Sequence, residues 1–254
     1  MSQTIEIARA GAVGRIALNR PDKANALTTD MLNRLADAVR ELDAAADCRL
    51  IVWEGRGDKG FSAGADLAEF SGGAAHLAEN GTATAGLADA ADAASTPILA
   101  LAHGRCLGAG AGLLCLADIV IASDNLVFGF PEILFGMYPA AVHALALRRV
   151  PANIARQLCA TGRNIGVREA QLLGLVSEAL PAADFSAAAE KRVTFYAERA
   201  VGLQFARRVT AAGDEDGPTG DLLRRLSPLV IENYEAPGVA DAVRAYLDRL
   251  GGKG

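Results

Sequence analysis

The first two-thirds of the chain alternates short apolar runs with stretches of helical spacing, and the last sixty residues carry helical spacing alone. Strand signals sit at 5–8 and 13–18, punctuated by Gly11 and Gly14. A helix is predicted next: Thr28 can cap it, Leu27 and Leu32 can form a hydrophobic staple, and Met31, Leu35, Val39 and Leu42 fall on one face. LIVWEG (50–55) reads as a buried strand, followed by the loop RGDKGFSAGADL. After a low-complexity Ala/Gly/Thr stretch (71–96), Pro97 opens a strand over 98–102. A glycine turn, a helix over about 108–117 and the strands DIVIAS and LVFGF follow, then helices to the end. Strands that are apolar throughout belong in parallel sheets covered on both faces, so the order reads as α/β. In the final helix Val239, Val243, Tyr246, Leu247 and Leu250 form a stripe that needs a partner, either the chain's own body or a neighbouring subunit.

Composition sets bounds on function. With 254 residues, 51% hydrophobic and only 5% aromatic, the chain can bury a large interior of Ala, Leu and Val. A net charge of −5 and no Lys/Arg-rich run argue against nucleic acid or an anionic membrane as the main partner. An anionic small molecule stays open, because local fields matter more than the total. The start, MSQTIEIARAG, has neither a basic nor an apolar signal region, and the longest apolar stretch (107–117) is too short to span a bilayer, so a cytoplasmic location is expected. Cys48, Cys106, Cys115 and Cys159 show no C-x-x-C pairing, and His76, His103 and His143 lack zinc-like spacing, so no metal or disulfide is expected.

The candidate chemistry lies in two loops. IVWEGRGDKGFSAGADL and ILALAHGRCLGAGAGLL each run from apolar strand through a glycine-bearing loop to Ala-Gly-Ala and a helix. If the strands are parallel neighbours, both helix starts emerge at one sheet edge, where open α/β sheets bind ligands. Three readings of the second glycine turn stand side by side. It can cradle a phosphate, although GAGAG is not G-x-G-x-x-G and no ribose-binding acid follows. It can serve close helix–strand packing. Or two opposed backbone N–H groups can form an oxyanion hole for a carbonyl oxygen gaining negative charge. Such a hole needs a proton carrier, and FGFPEILFGMYP offers Glu132 among apolar neighbours that would raise its pKa towards neutrality. A glutamate favoured by the first turn of a helix is the alternative reading.

Four segments in order, LNRPDKANAL (18–27), GRGDKGFSAGADL (55–67), GRCLGAGAGLLCLADIVIAS (104–123) and FGFPEILFGMYP (128–139), resemble the signatures of the crotonase, or enoyl-CoA hydratase/isomerase, superfamily. The resemblance implies a crotonase-like spiral of repeated β-β-α units over residues 1–195 holding the active site, and a helical region over 196–254 for trimerisation. It implies an acyl-CoA thioester substrate, with CoA part of the substrate rather than a separate cofactor, and a homotrimer or dimer of trimers. Its oxyanion-hole donors correspond to the backbone N–H groups of Ala65 and Ala109, with Glu132 as the catalytic acid/base. Ala63, Asp66, Leu67, Ala68 and Gly108 continue the thioester-binding segments, and Lys23 and Ala24 lie along the CoA pantetheine and phosphates.

One departure bears on the reaction. Hydratases of the best-known type carry a second glutamate where this chain has Gly112. Hydration of a 2-enoyl-CoA is the expected activity, with Tyr138, the backbone of Ala140 or Glu132 itself positioning water. A single carboxylate also suffices for a 1,3 proton shuttle, which would isomerise a 3-enoyl-CoA to a 2-enoyl-CoA. Decarboxylation or C–C cleavage, and a catalytically idle acyl-CoA binder, are further alternatives.

Overall fold

Two adjacent inner strands of the main sheet have no polar face at all, and their burial explains it. The computed structural model describes residues 4–70 and 74–212. The sheet contains β1 (Ile5–Ala10), β2 (Val13–Leu18), β3 (Leu50–Gly55), β4 (Ile98–Ala102), β6 (Ile119–Ser123) and β9 (Glu178–Leu180), adjacent in that order. Every residue of β4 and β6 is buried. All neighbours pair parallel except β1 with β2, an antiparallel hairpin at the edge. A second, three-stranded sheet joins β5 (Arg105–Leu107), β7 (Val127–Gly129) and β8 (Asn164–Gly166), with β5–β7 parallel and β7–β8 antiparallel. The sheets are therefore mixed rather than parallel throughout.

Helix α1 (Thr29–Ala44) is built as its sequence dictates. The Thr28 side-chain oxygen accepts a 3.2 Å hydrogen bond from the Met31 N–H, and Met31, Leu32, Leu35, Val39 and Leu42 are buried. After the short α2 (Leu67–Phe70) comes α3 (Ala74–Ala93), which packs on α1. This helix occupies most of the low-complexity Ala/Gly/Thr stretch, to which the sequence reading assigned no element. Ala83, Leu87, Ala90 and Ala91 are its buried stripe at i, i+4, i+7 and i+8. Alanine on both faces hides that stripe from a hydropathy pattern, while its high helix propensity keeps the segment helical.

Helix α4 (Ala109–Leu116) follows β5, and α5 (Ala140–Ala146), α6 (Ala152–Thr161), α7 (Val167–Leu172) and α8 (Phe185–Ala197) complete the larger unit. The expectation of helices alone after LVFGF is corrected by β8 and β9, each three residues long and too short to show a period of two. The chain divides into two compact units, one ending at Ala200 and one beginning at Val201. Of the second, the described part is the helix α9, Ala200–Ala212, which begins at the boundary. The stripe of Val239, Val243, Tyr246, Leu247 and Leu250 lies outside the described residues.

Candidate active site

Parallel pairing of β3 with β4 sends the chain out of both strands at the same sheet edge, and the two loops that follow then zip together. Phe61 N–H donates to the His103 carbonyl at 2.8 Å, Ser62 N–H to that of Arg105 at 3.1 Å, and Leu107 N–H to that of Ser62 at 3.0 Å. The Ala-Gly-Ala units at the loop ends are thereby brought face to face. A methyl group placed on Gly64 would stand 3.6 Å from the Ala109 nitrogen and 2.9 Å from the Leu107 carbonyl oxygen. Gly64 (φ +104°) and Gly108 (φ +51°) both hold backbone conformations that side chains resist. Among the described residues, neither the Ala65 nor the Ala109 N–H has an intramolecular acceptor. Ala109 is also the first residue of α4, where the helix adds partial positive charge.

Glu132 reaches the same place from the second sheet. Gly108 N–H donates to the Gly129 carbonyl at 2.9 Å, fastening the start of α4 to the end of β7. Pro131 then begins a short 3₁₀ turn, Pro131–Phe135, that carries Glu132 in its first turn. A methyl group on Gly108 would come 2.5 Å from Glu132 Oε1. The other carboxyl oxygen, Oε2, is buried with no hydrogen-bond partner. Burial pushes the Glu132 carboxyl above its ordinary pKa, because desolvation penalises the charged form. An unpaired, desolvated carboxyl is unfavourable for stability and suited to moving a proton.

All of this opens on an apolar cavity of about 290 Å³. Ala63, Ala65, Leu67, Gly108 and Ala109 line it from the two loops, and Glu132, Tyr138 and Ala140 from the segment after β7. Lys23, Ala24, Asp66 and Ala68, the remaining candidates, are not among its lining residues. Lys23 is exposed at the end of a short 3₁₀ turn, Pro21–Lys23. The Asp66 carboxylate is held by Arg20 at 2.9 Å and accepts from the Ala68 N–H at 3.1 Å, so it braces the start of α2. Position 112 faces side-chain tips: a methyl group on Gly112 would meet Leu145 Cδ1, the end of a flexible leucine, at 2.9 Å and Val142 Cγ1 at an ordinary 3.5 Å.

Two buried polar residues that sequence reasoning missed hold the first loop in place. Asn25, fully buried, accepts from the Arg20 N–H at 2.9 Å and donates to the carbonyls of Arg56 at 2.9 Å and Gly60 at 3.1 Å. Its own carbonyl accepts from the Ser62 hydroxyl at 2.8 Å, and that hydroxyl accepts from the Gly64 N–H at 3.2 Å. Asn25 sits at φ +54°, a conformation asparagine tolerates better than most side chains. The signal was the Asn of LNRPDKANAL and the Ser of FSAGADL, polar residues inside otherwise apolar or glycine-rich surroundings. Asn25→Ala should lower unfolding free energy by about 1–3 kcal/mol for each buried group left unpaired. Denaturant unfolding measures the loss, and turnover should fall with it because the loop bearing Ala65 loses its anchor.

Comparison with known proteins decides the family. The family model for enoyl-CoA hydratase/isomerase matches residues 8–201. The chain belongs to the enoyl-CoA hydratase/isomerase family. It is 36% identical over 199 residues to a probable enoyl-CoA hydratase, echA8, of Mycobacterium bovis, covering 76% of this chain and 74% of that one. It is 37% identical over 184 residues to the 2,3-dehydroadipyl-CoA hydratase of Escherichia coli K12, covering 71% and 70%. In structure it is similar to human enoyl coenzyme A hydratase domain-containing protein 3, with a TM-score of 0.88 over 97% of this chain and 98% of the other at 23% identity, a likeness of fold. The architecture above is thus the α/β crotonase fold with mixed sheets, and the chain is an enzyme of a family that acts on acyl-CoA.

Proposed function

We propose that the chain is a 2-enoyl-CoA hydratase that holds the thioester oxygen on the Ala65 and Ala109 N–H groups while Glu132 exchanges a proton with the substrate. The observation that carries this is the convergence of two amides without acceptors and one buried, unpaired carboxyl oxygen at an apolar cavity. As negative charge moves onto the thioester oxygen, both amides shorten their hydrogen bonds to it. Each donor of this kind contributes on the order of 3 kcal/mol to the transition state. The hydratase names of two relatives that share over a third of their aligned residues with this chain support hydration over other enolate chemistry. Lys23 and Ala24, outside the cavity, are assigned to the CoA moiety, and Asp66 and Ala68 to the frame of the thioester segment.

The glycine at position 112 favours a second reading. With one carboxylate in the cavity, Glu132 can take a proton from one carbon of a 3-enoyl-CoA and return it two carbons away. Crotonyl-CoA and 3-hexenoyl-CoA, incubated separately, discriminate: loss of conjugated enoyl absorbance from the first indicates hydration, and its gain from the second indicates isomerisation. We expect the first. A homotrimer or dimer of trimers in the cytoplasm completes the proposal, and light scattering measures the assembly. No described helix is long and apolar enough to cross a membrane.

A further inference from the structure

We infer that Tyr138 takes the proton from the attacking water and relays its own to His143. The inference rests on the hydratase reading. Four polar side chains line the cavity among the described residues: Asn80, Thr84, Glu132 and Tyr138. Asn80 donates to the Thr29 hydroxyl at 3.3 Å and the Thr84 hydroxyl donates to the Asn80 carbonyl at 2.8 Å, and neither group can accept a proton at neutral pH. Tyr138 differs. Its hydroxyl lies 2.6 Å from His143 Nδ1, with the rings edge to face at 5.8 Å.

The chain places Tyr138 on the same cavity wall as Glu132. Gly136 turns the backbone at φ +87°, and the Met137 N–H donates to the Glu132 carbonyl at 3.1 Å, so Tyr138 follows directly on a turn closed by Glu132. His143 sits in the last turn of the short α5, its N–H donating to the Pro139 carbonyl at 2.7 Å. Leu145 and Val142 of the same helix fill the space beside Gly112. The helix that packs beside Gly112 also presents the imidazole.

The step balances. The water oxygen bonds to C3 while its proton passes to the phenol oxygen and the phenol proton to His143 Nδ1. The C2–C3 π pair moves into the thioester, whose oxygen the two amides hold. C2 of the resulting enolate takes the proton of the Glu132 carboxyl. The imidazolium then loses a proton to solvent and the Glu132 carboxylate regains one, so one water is added and both groups are reset.

The test measures kcat for crotonyl-CoA hydration and the dissociation constant of butyryl-CoA in the wild type, Tyr138→Phe, His143→Leu and the double variant. A general base of this kind is worth about 100-fold or more, so kcat should fall at least that far in Tyr138→Phe with butyryl-CoA binding unchanged. In His143→Leu kcat should fall by a comparable factor, since the phenol then has no group to take its proton, and the double variant should be no slower than either single variant, as expected of groups acting in series. Hydration by Tyr138→Phe within about threefold of wild type, or a loss matched by weaker butyryl-CoA binding, overturns the inference while leaving the hydratase reading intact. A wild-type enzyme that hydrates no enoyl-CoA overturns that reading and this inference together.

Discussion

Glu132→Gln will lower kcat for enoyl-CoA turnover by about 10²–10⁴-fold, the range for losing a positioned acid/base. The substitution keeps the shape of a side chain whose Oε2 is buried, so butyryl-CoA should still bind. Stability should move the other way. The folded Glu132 carboxyl has its pKa raised by desolvation, above that of the unfolded chain. Between those two values the unfolded state loses its proton first, so stability falls as pH rises through the window, and the penalty is complete only above the folded value. The glutamine variant carries no such penalty. Its thermal midpoint at pH 7 should equal or exceed that of the wild type, and the difference should vanish in acid below the ordinary glutamate range. A variant that keeps wild-type turnover on enoyl-CoA substrates would remove Glu132 from the mechanism.

Gly110→Ala should be nearly as damaging, through geometry alone. Backbone amides cannot be deleted by changing side chains, but their spacing can be. A methyl group on Gly110 would stand 2.6 Å from Ser62 Cβ, 2.7 Å from its Oγ and 2.8 Å from its carbonyl oxygen. Ser62 has no room to retreat: its N–H, carbonyl and hydroxyl are bonded to Arg105, Leu107 and Asn25 at 3.1, 3.0 and 2.8 Å. The start of α4 must therefore move away from the first loop and carry the Ala109 N–H with it. Overpacking of this kind costs about 1–3 kcal/mol of stability. Misplacement by about 1 Å at a reacting centre costs on the order of 100-fold in rate. Steady-state kinetics should show that fall in kcat/KM although no side chain of the cavity has changed.

These effects trace back to features of unequal visibility in the sequence. Helix α1 announced itself through a cap and a clean apolar face, and the strand cores through unbroken apolar runs. The matched Ala-Gly-Ala loops suggested two amides at one edge because β3 and β4 could be read as parallel neighbours. Helix α3 was hidden because alanine serves both as its buried stripe and as its exposed face. The strands β5, β8 and β9 were hidden because three residues carry no periodicity. At the site, the packing beside Gly112 depends on Leu145, more than thirty residues downstream, a contact that no local pattern encodes. The pairing of Tyr138 with His143 was invisible for a similar reason, since it depends on where α5 begins after the Gly136 turn. Asn25 and Ser62 stood in quoted motifs, yet their role emerges only when the loops are seen zipped together.

Infrared difference spectroscopy of a bound, carbonyl-¹³C-labelled enoyl-CoA tests the central claim most directly. Two amides donating to the thioester oxygen weaken its C=O bond, so the band should shift to lower frequency than the same thioester shows in water, and Gly110→Ala should return most of that shift. A bound thioester that absorbs at its solution frequency in the wild-type enzyme would contradict the account.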